Sequence, residues 1–239
     1  MLADADPRRD IVAQYQADGL SRADVLARYR HLREISKRHH SAVLPFVSGD
    51  AIKSQAKRLG LIHAKTMVLD NADDLNFVFD LAIHTAPKDR SRAIDRYARA
   101  AGLAPGSDEA LVLDAMRRAR FSIIRLASRH PVAGVIAKDL CRDEDIWLVD
   151  EGLEASFREG LALATRLYAP ESFAMTAGIL APLDRASLAE ALLELPNSLG
   201  EDVRRTSDDR RFAEAIYRAA LRQGLTAGVS YQDTAAGSD

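Results

Sequence analysis

Between Phe121 and Leu183 the apolar residues of this chain change period. On either side they recur every three to four residues, the spacing of a helix with one buried stripe. Inside the segment they come in short bursts separated by turn residues, as in FSIIRLAS, GVIAKDL, DIWLVDE, LATRLYA and FAMTAGIL. Five short strands in so little sequence, with a polar hairpin at CRDE, predict a small closed barrel of the SH3-like or OB-like type, and the short strands with no strong helix pattern between them favour SH3-like. GLEASFREG is the longest connection and the natural binding loop. The expected fold class is therefore α+β. A helical region spans residues 1–118, a five-stranded barrel 119–184, and helices with a disordered tail 185–239, packed back on the rest.

Helix boundaries follow from local chemistry. Asp6-Pro7 opens a first helix that stops at Gly19, and Ser21 caps a second whose stripe is Val25, Leu26, Tyr29, Leu32 and Ile35. A third helix runs from about Asp50 to Leu59 and is closed by Gly60, and IHAKTMVLD reads as an extended arm. Asn71 caps the next, with Leu75, Val78, Phe79, Ala82 and Ile83 on its core face. Further helices run from about Asp89 to Ala100, from Ser107, from Asp184 to Leu195 and from Ser207 to Gly224.

At 239 residues and 47% hydrophobic content the chain can build a packed core. Its net charge of −2 argues against a uniformly basic nucleic-acid binder. The distribution is uneven. Residues 1–130 hold 22 Lys and Arg against 16 Asp and Glu, and residues 131–239 hold 11 against 19. The plainest consequence is that the two halves face each other. The single cysteine, Cys141, excludes an internal disulfide or a multi-thiolate zinc site. The start MLADADPRRD has no signal-peptide core and no run reaches membrane-span length, so a soluble cytoplasmic protein away from membranes is expected.

The stretches DDLNFVFDLAIH, SRAIDRYARA, KDLCRDEDIWLVDEGLE and FAMTAGILAPL resemble a group of uncharacterised bacterial proteins, over about Tyr29 to Leu183. The group pairs a helical start with a small β unit. The resemblance implies one unit over residues 1–183 and no assigned activity, cofactor or site residue.

The main polar stripe is Asn76, Asp80 and His84, stacked on one helix face with Asp73 a turn earlier. Asp80 and His84 are the candidate metal ligands, as a carboxylate one turn from an imidazole can orient it or share an ion with it. Adjacent His39 and His40 diverge by about 100° on a helix and do not share an ion. Basic residues cluster at Arg28–His40, Lys53–Arg58, Lys88–Arg99 (with Arg92 and Arg96) and Arg117–Arg129. Brought together they would form a phosphate-binding face, and the first two helices have helix-turn-helix spacing. Trp147 and Tyr168 are barrel core unless exposed, when they would line a groove. There is no GxSxG elbow and no glycine-rich phosphate loop. Cys141 in an acidic turn is a poor nucleophile.

The reading leans away from catalysis and implies no cofactor. It favours a binding or regulatory protein, with a protein partner ahead of nucleic acid. The alternatives are nucleic-acid binding through the basic helices and a metal-assisted hydrolase at Asp80 and His84. Oligomeric state is not legible.

Overall fold

Ser21 does begin a helix: its side chain accepts from the Asp24 backbone N–H, and α1 runs Arg22–Val43. The computed structural model describes residues 21–64, 72–195 and 203–224, with Gly19, Thr66, Met67 and Leu69. The expected helix at Asp6–Asp18, the Asn71 cap, the Pro196 stop and the tail lie outside them. After a short 3-10 turn at Leu44–Phe46, Ser48 caps α2 (Gly49–Arg58). The expected extended arm folds on itself as a two-stranded hairpin, β1 (Ile62–His63) with β2 (Thr66–Met67). Then come α3 (Ala72–His84), α4 (Ala93–Ala100) and α5 (Asp108–Arg117).

The five expected strands are present: β3 (Arg120–Arg129), β4 (Val135–Asp139), β5 (Glu144–Leu148), β6 (Ala162–Tyr168) and β7 (Met175–Leu183). They form one antiparallel sheet in the order β5-β4-β3-β6-β7. The sheet is open, which corrects the closed SH3-like barrel. Its edges touch at a single bridge, Leu148 to Ala174. Beyond it the chain leaves the edge, because Asp150 caps a short helix, α6 (Glu151–Ala155), inside the segment expected as a loop. Leu153 of α6 packs with Ile124, Leu126, Val135, Leu148 and Leu163 on one face of the sheet.

The other face is covered by helices. Phe121, Ile123, Ala164 and Ala181 pack against α3 and the closing helices α7 (Arg185–Leu193) and α9 (Arg210–Arg222). Phe121 meets the rings of Phe212 and Tyr217 edge-on, and Phe77 stacks on Tyr217 at 4.4 Å. Each such pair adds about 1 kcal/mol beyond its burial. Asp209 caps α9; Ser207 sits instead in the short helix α8 (Val203–Asp208). A further core joins α1, α4 and α5 to Trp147, Tyr168 and Met175.

The basic and acidic halves interlock. Arg22 pairs with Glu154, Arg28 with Glu171, Arg30 with Glu151 and Arg58 with Glu214. Half-exposed pairs of this kind are worth at most about 1 kcal/mol each, but they consume charge on the first two basic clusters.

Candidate functional site: a basic cleft beside His84

The stripe on α3 turns inward. Asn76 stays exposed, whereas Asp80 is 3% exposed and His84 5%. Arg166 of β6 donates to both Asp80 oxygens, Nε to Oδ1 at 2.8 Å and Nη2 to Oδ2 at 2.9 Å. The Tyr217 hydroxyl of α9 donates to Oδ2 at 3.1 Å. Both Asp80 oxygens are thus held by Arg166 and Tyr217, and no hydrogen bond joins Asp80 to His84 among the described residues. Among the described residues no three His, Cys, Asp or Glu side chains are placed to hold a metal. The metal reading of Asp80 and His84 finds no support in this geometry.

One turn on, His84 is the reverse case. Neither ring nitrogen has a hydrogen-bond partner among the described residues. Burial pushes its pKa well below the ordinary value, and Arg166 adds to this, so the ring is neutral at pH 7. Buried polar groups are nearly always bonded. His84 is an exception to that rule, at the border of two cavities.

His84 borders two cavities. The larger, about 910 Å³, gathers five segments. The loop after α3 gives Lys88, Arg90 and Arg92, and the junction of α5 with β3 gives Arg118 and Arg120. The β4–β5 hairpin adds Arg142, β6 adds Arg166, and α9 adds Arg210 and Arg211. Against these nine cations the wall holds two acids, Asp208 and Asp209.

Carboxylates hold most of the guanidinium groups in place. Asp95 holds Arg92 at 2.7 Å, Asp208 holds Arg142 at 2.7 Å, Asp209 holds Arg211 at 2.8 Å, and Glu144 holds Arg120. Pairing lowers the local charge but fixes direction, and a guanidinium has five N–H donors, more than one carboxylate uses. Buried Arg120 Nε has no hydrogen bond among the described residues. Lys88 and Arg90 are exposed and have no ion pair among the described residues.

The structure thus brings together the third and fourth basic clusters and leaves the first two apart, on α1 and α2. Arg92 is in the cleft. Arg96 is not; it donates to the Phe46 carbonyl at 2.5 Å, tying α4 to the 3-10 turn. Trp147 is buried, stacked on His130 and donating to the Ala133 carbonyl at 2.7 Å. Tyr168 is buried, with its hydroxyl donating to Ser36 at 2.8 Å. Neither lines an open groove. Cys141 is buried too, and burial pushes its thiol up, away from a reactive thiolate. The helix-turn-helix pairing cannot be placed, because its first helix lies outside the described residues. Sequence reasoning missed Arg142, Arg166, Arg210 and Arg211. Arg166 carried the clearest signal, a lone cation inside an otherwise apolar strand.

No helix of the described residues is long and apolar enough to cross a membrane. A family model of unknown function, DUF7986, matches residues 23–229, and the chain belongs to that family. No match to the chain was found among curated proteins or among solved structures.

Proposed function

We propose that this member of a family without assigned function is a binding protein whose ligand is a small phosphorylated molecule, held in the basic cleft. The observation that carries the reading is the convergence of nine Lys and Arg side chains from five segments on one concavity, two of them without a carboxylate among the described residues. Preoriented guanidinium groups suit phosphate oxygens, which accept paired N–H donors. A volume of about 910 Å³ is that of a metabolite-sized site. The concave placement favours a small anion over the protein partner expected from overall charge. It also favours it over a nucleic-acid track, because the basic residues of α1 are spent on internal pairs.

Calorimetric titration of the full chain with inorganic pyrophosphate tests this. Binding is expected at low ionic strength, weakening as salt screens the exposed cations. Exchanging Lys88 and Arg90 for Glu should weaken it by about tenfold or more. No binding at low salt, or binding indifferent to the double exchange, would overturn the reading. Much tighter binding of a single-stranded oligonucleotide would replace it with the nucleic-acid one.

A further inference from the structure

The second cavity bordered by His84, about 290 Å³, opens between α1, α3 and β7. We infer that it is a separate ligand site, for a small uncharged molecule with an apolar body and one edge that both donates and accepts a hydrogen bond. The inference goes beyond the anion reading of the cleft and does not depend on it.

Three observations support it. The first is the wall, which is mainly apolar: Leu44, Phe79, Ile83 and Ile179 surround the space. At about 30 Å³ per water in the liquid, the volume equals about ten waters, so a ligand of about that many non-hydrogen atoms fits.

The second is charge. The one carboxylate on this wall, Asp80, is already bound by Arg166 and Tyr217. The two histidines are neutral at pH 7. Burial lowers the pKa of His40 to about 4, with Arg33 adding to it, and burial also lowers that of His84 well below its ordinary value. The nearest cation, Arg33, lies behind Gly178, donates to the Thr176 carbonyl and does not line the space, so a charged ligand entering would lose its hydration without a counter-charge on the wall.

The third is hydrogen bonding. His40 Nδ1 lies 3.0 Å from the Ser36 carbonyl. The Ser36 hydroxyl lies farther off, at 3.4 Å, so the shorter contact assigns the proton to Nδ1 and leaves Nε2 as an acceptor. His84 offers one donor and one acceptor, both without partners among the described residues. The two nitrogens of one imidazole diverge, so a primary amide or lactam edge on a ring would meet one His84 nitrogen with one of its groups and His40 with the other. Gly178 belongs to the same wall at φ +96°, and a side chain there would press on the Arg33 guanidinium, 3.1 Å away.

The probes are benzamide, benzoate and benzamidine, near-isosteres that are neutral, negative and positive, with toluene lacking the polar edge. Titrations of the full chain followed by protein-observed NMR should show benzamide binding at millimolar concentration. It should bind about tenfold or more tighter than either charged analogue. Ala177→Leu fills the cavity from β7. Ser41→Trp blocks its mouth from an exposed position and so carries little folding risk. Either variant, with its fold confirmed by circular dichroism, should abolish benzamide binding while pyrophosphate still binds the cleft. No benzamide binding, equal binding of all three analogues, or binding that survives both variants would overturn the inference and leave a cavity filled by water. Failure of pyrophosphate alone would count against the cleft reading and not against this one.

Discussion

Asp80 and His84 lie one turn apart on the same face of α3, equally buried and oppositely treated. Asp80 has three hydrogen bonds from two elements; His84 has none among the described residues. The first arrangement locks α3, β6 and α9 together. The second costs stability and sits where two cavities meet. On the proposed reading, the difference separates a polar residue kept for the fold from one kept for a ligand. A buried polar group that only holds structure is satisfied, since leaving it bare costs about 1–3 kcal/mol.

The strongest way to break this comparison is to remove Asp80. Asp80→Ala strands Arg166 in the interior without its counter-ion and should cost about 3–5 kcal/mol in chemical denaturation. A loss under about 1 kcal/mol would show that the pair does not hold the three elements together.

Acid sharpens the comparison next. His40 and His84 are held neutral in the fold, His40 with a pKa of about 4 against an ordinary 6.5. Below pH 6.5 the unfolded chain takes up protons that the folded chain refuses. Stability should therefore fall as pH drops from 6.5 towards 4, with no contribution from these groups above that window. The Asp108 carboxyl, held at about 2 by Arg28, acts only at lower pH. Urea midpoints at pH 7.5 and pH 5 give the check, and equal midpoints would contradict it. In His84→Phe the slope across this window should shrink.

A smaller effect is expected at the rim of the cleft. The double exchange of Lys88 and Arg90 for Glu should cost pyrophosphate binding about 1.4 kcal/mol or more. It should leave stability within about 0.5 kcal/mol, because both side chains are exposed. A large stability loss would mean that these cations serve the fold.

The strands were legible because short apolar bursts bounded by turn residues report strands buried on both faces, and every expected strand is found to within a few residues. Closure was not. It depends on where the two edge strands end, and that was decided by Asp150 capping α6 rather than by any pattern in the strands. Ser21, Ser48, Ser107 and Asp184 act as caps, since capping is local chemistry. Ser207 was misread because Asp209, two residues later, accepts from the Arg211 backbone N–H and starts α9.

The candidate site was half legible. The α3 stripe and the run containing Arg92 were visible as spacing. That Asp80 would be claimed by an arginine 86 positions away was not. Nor was the choice of Arg92 over Arg96, which depends on the path of the loop before α4. Neither contact follows from local sequence, because both are set by tertiary packing.

The most direct test of the central claim is urea unfolding of His84→Phe beside its benzamide titration. If His84 is buried bare for a ligand, an apolar ring of similar size removes the unmet hydrogen bonds. The variant should then be more stable by about 1 kcal/mol, and benzamide should bind it no better than toluene. A variant destabilised by several kcal/mol, with its preference for benzamide intact, would contradict the account.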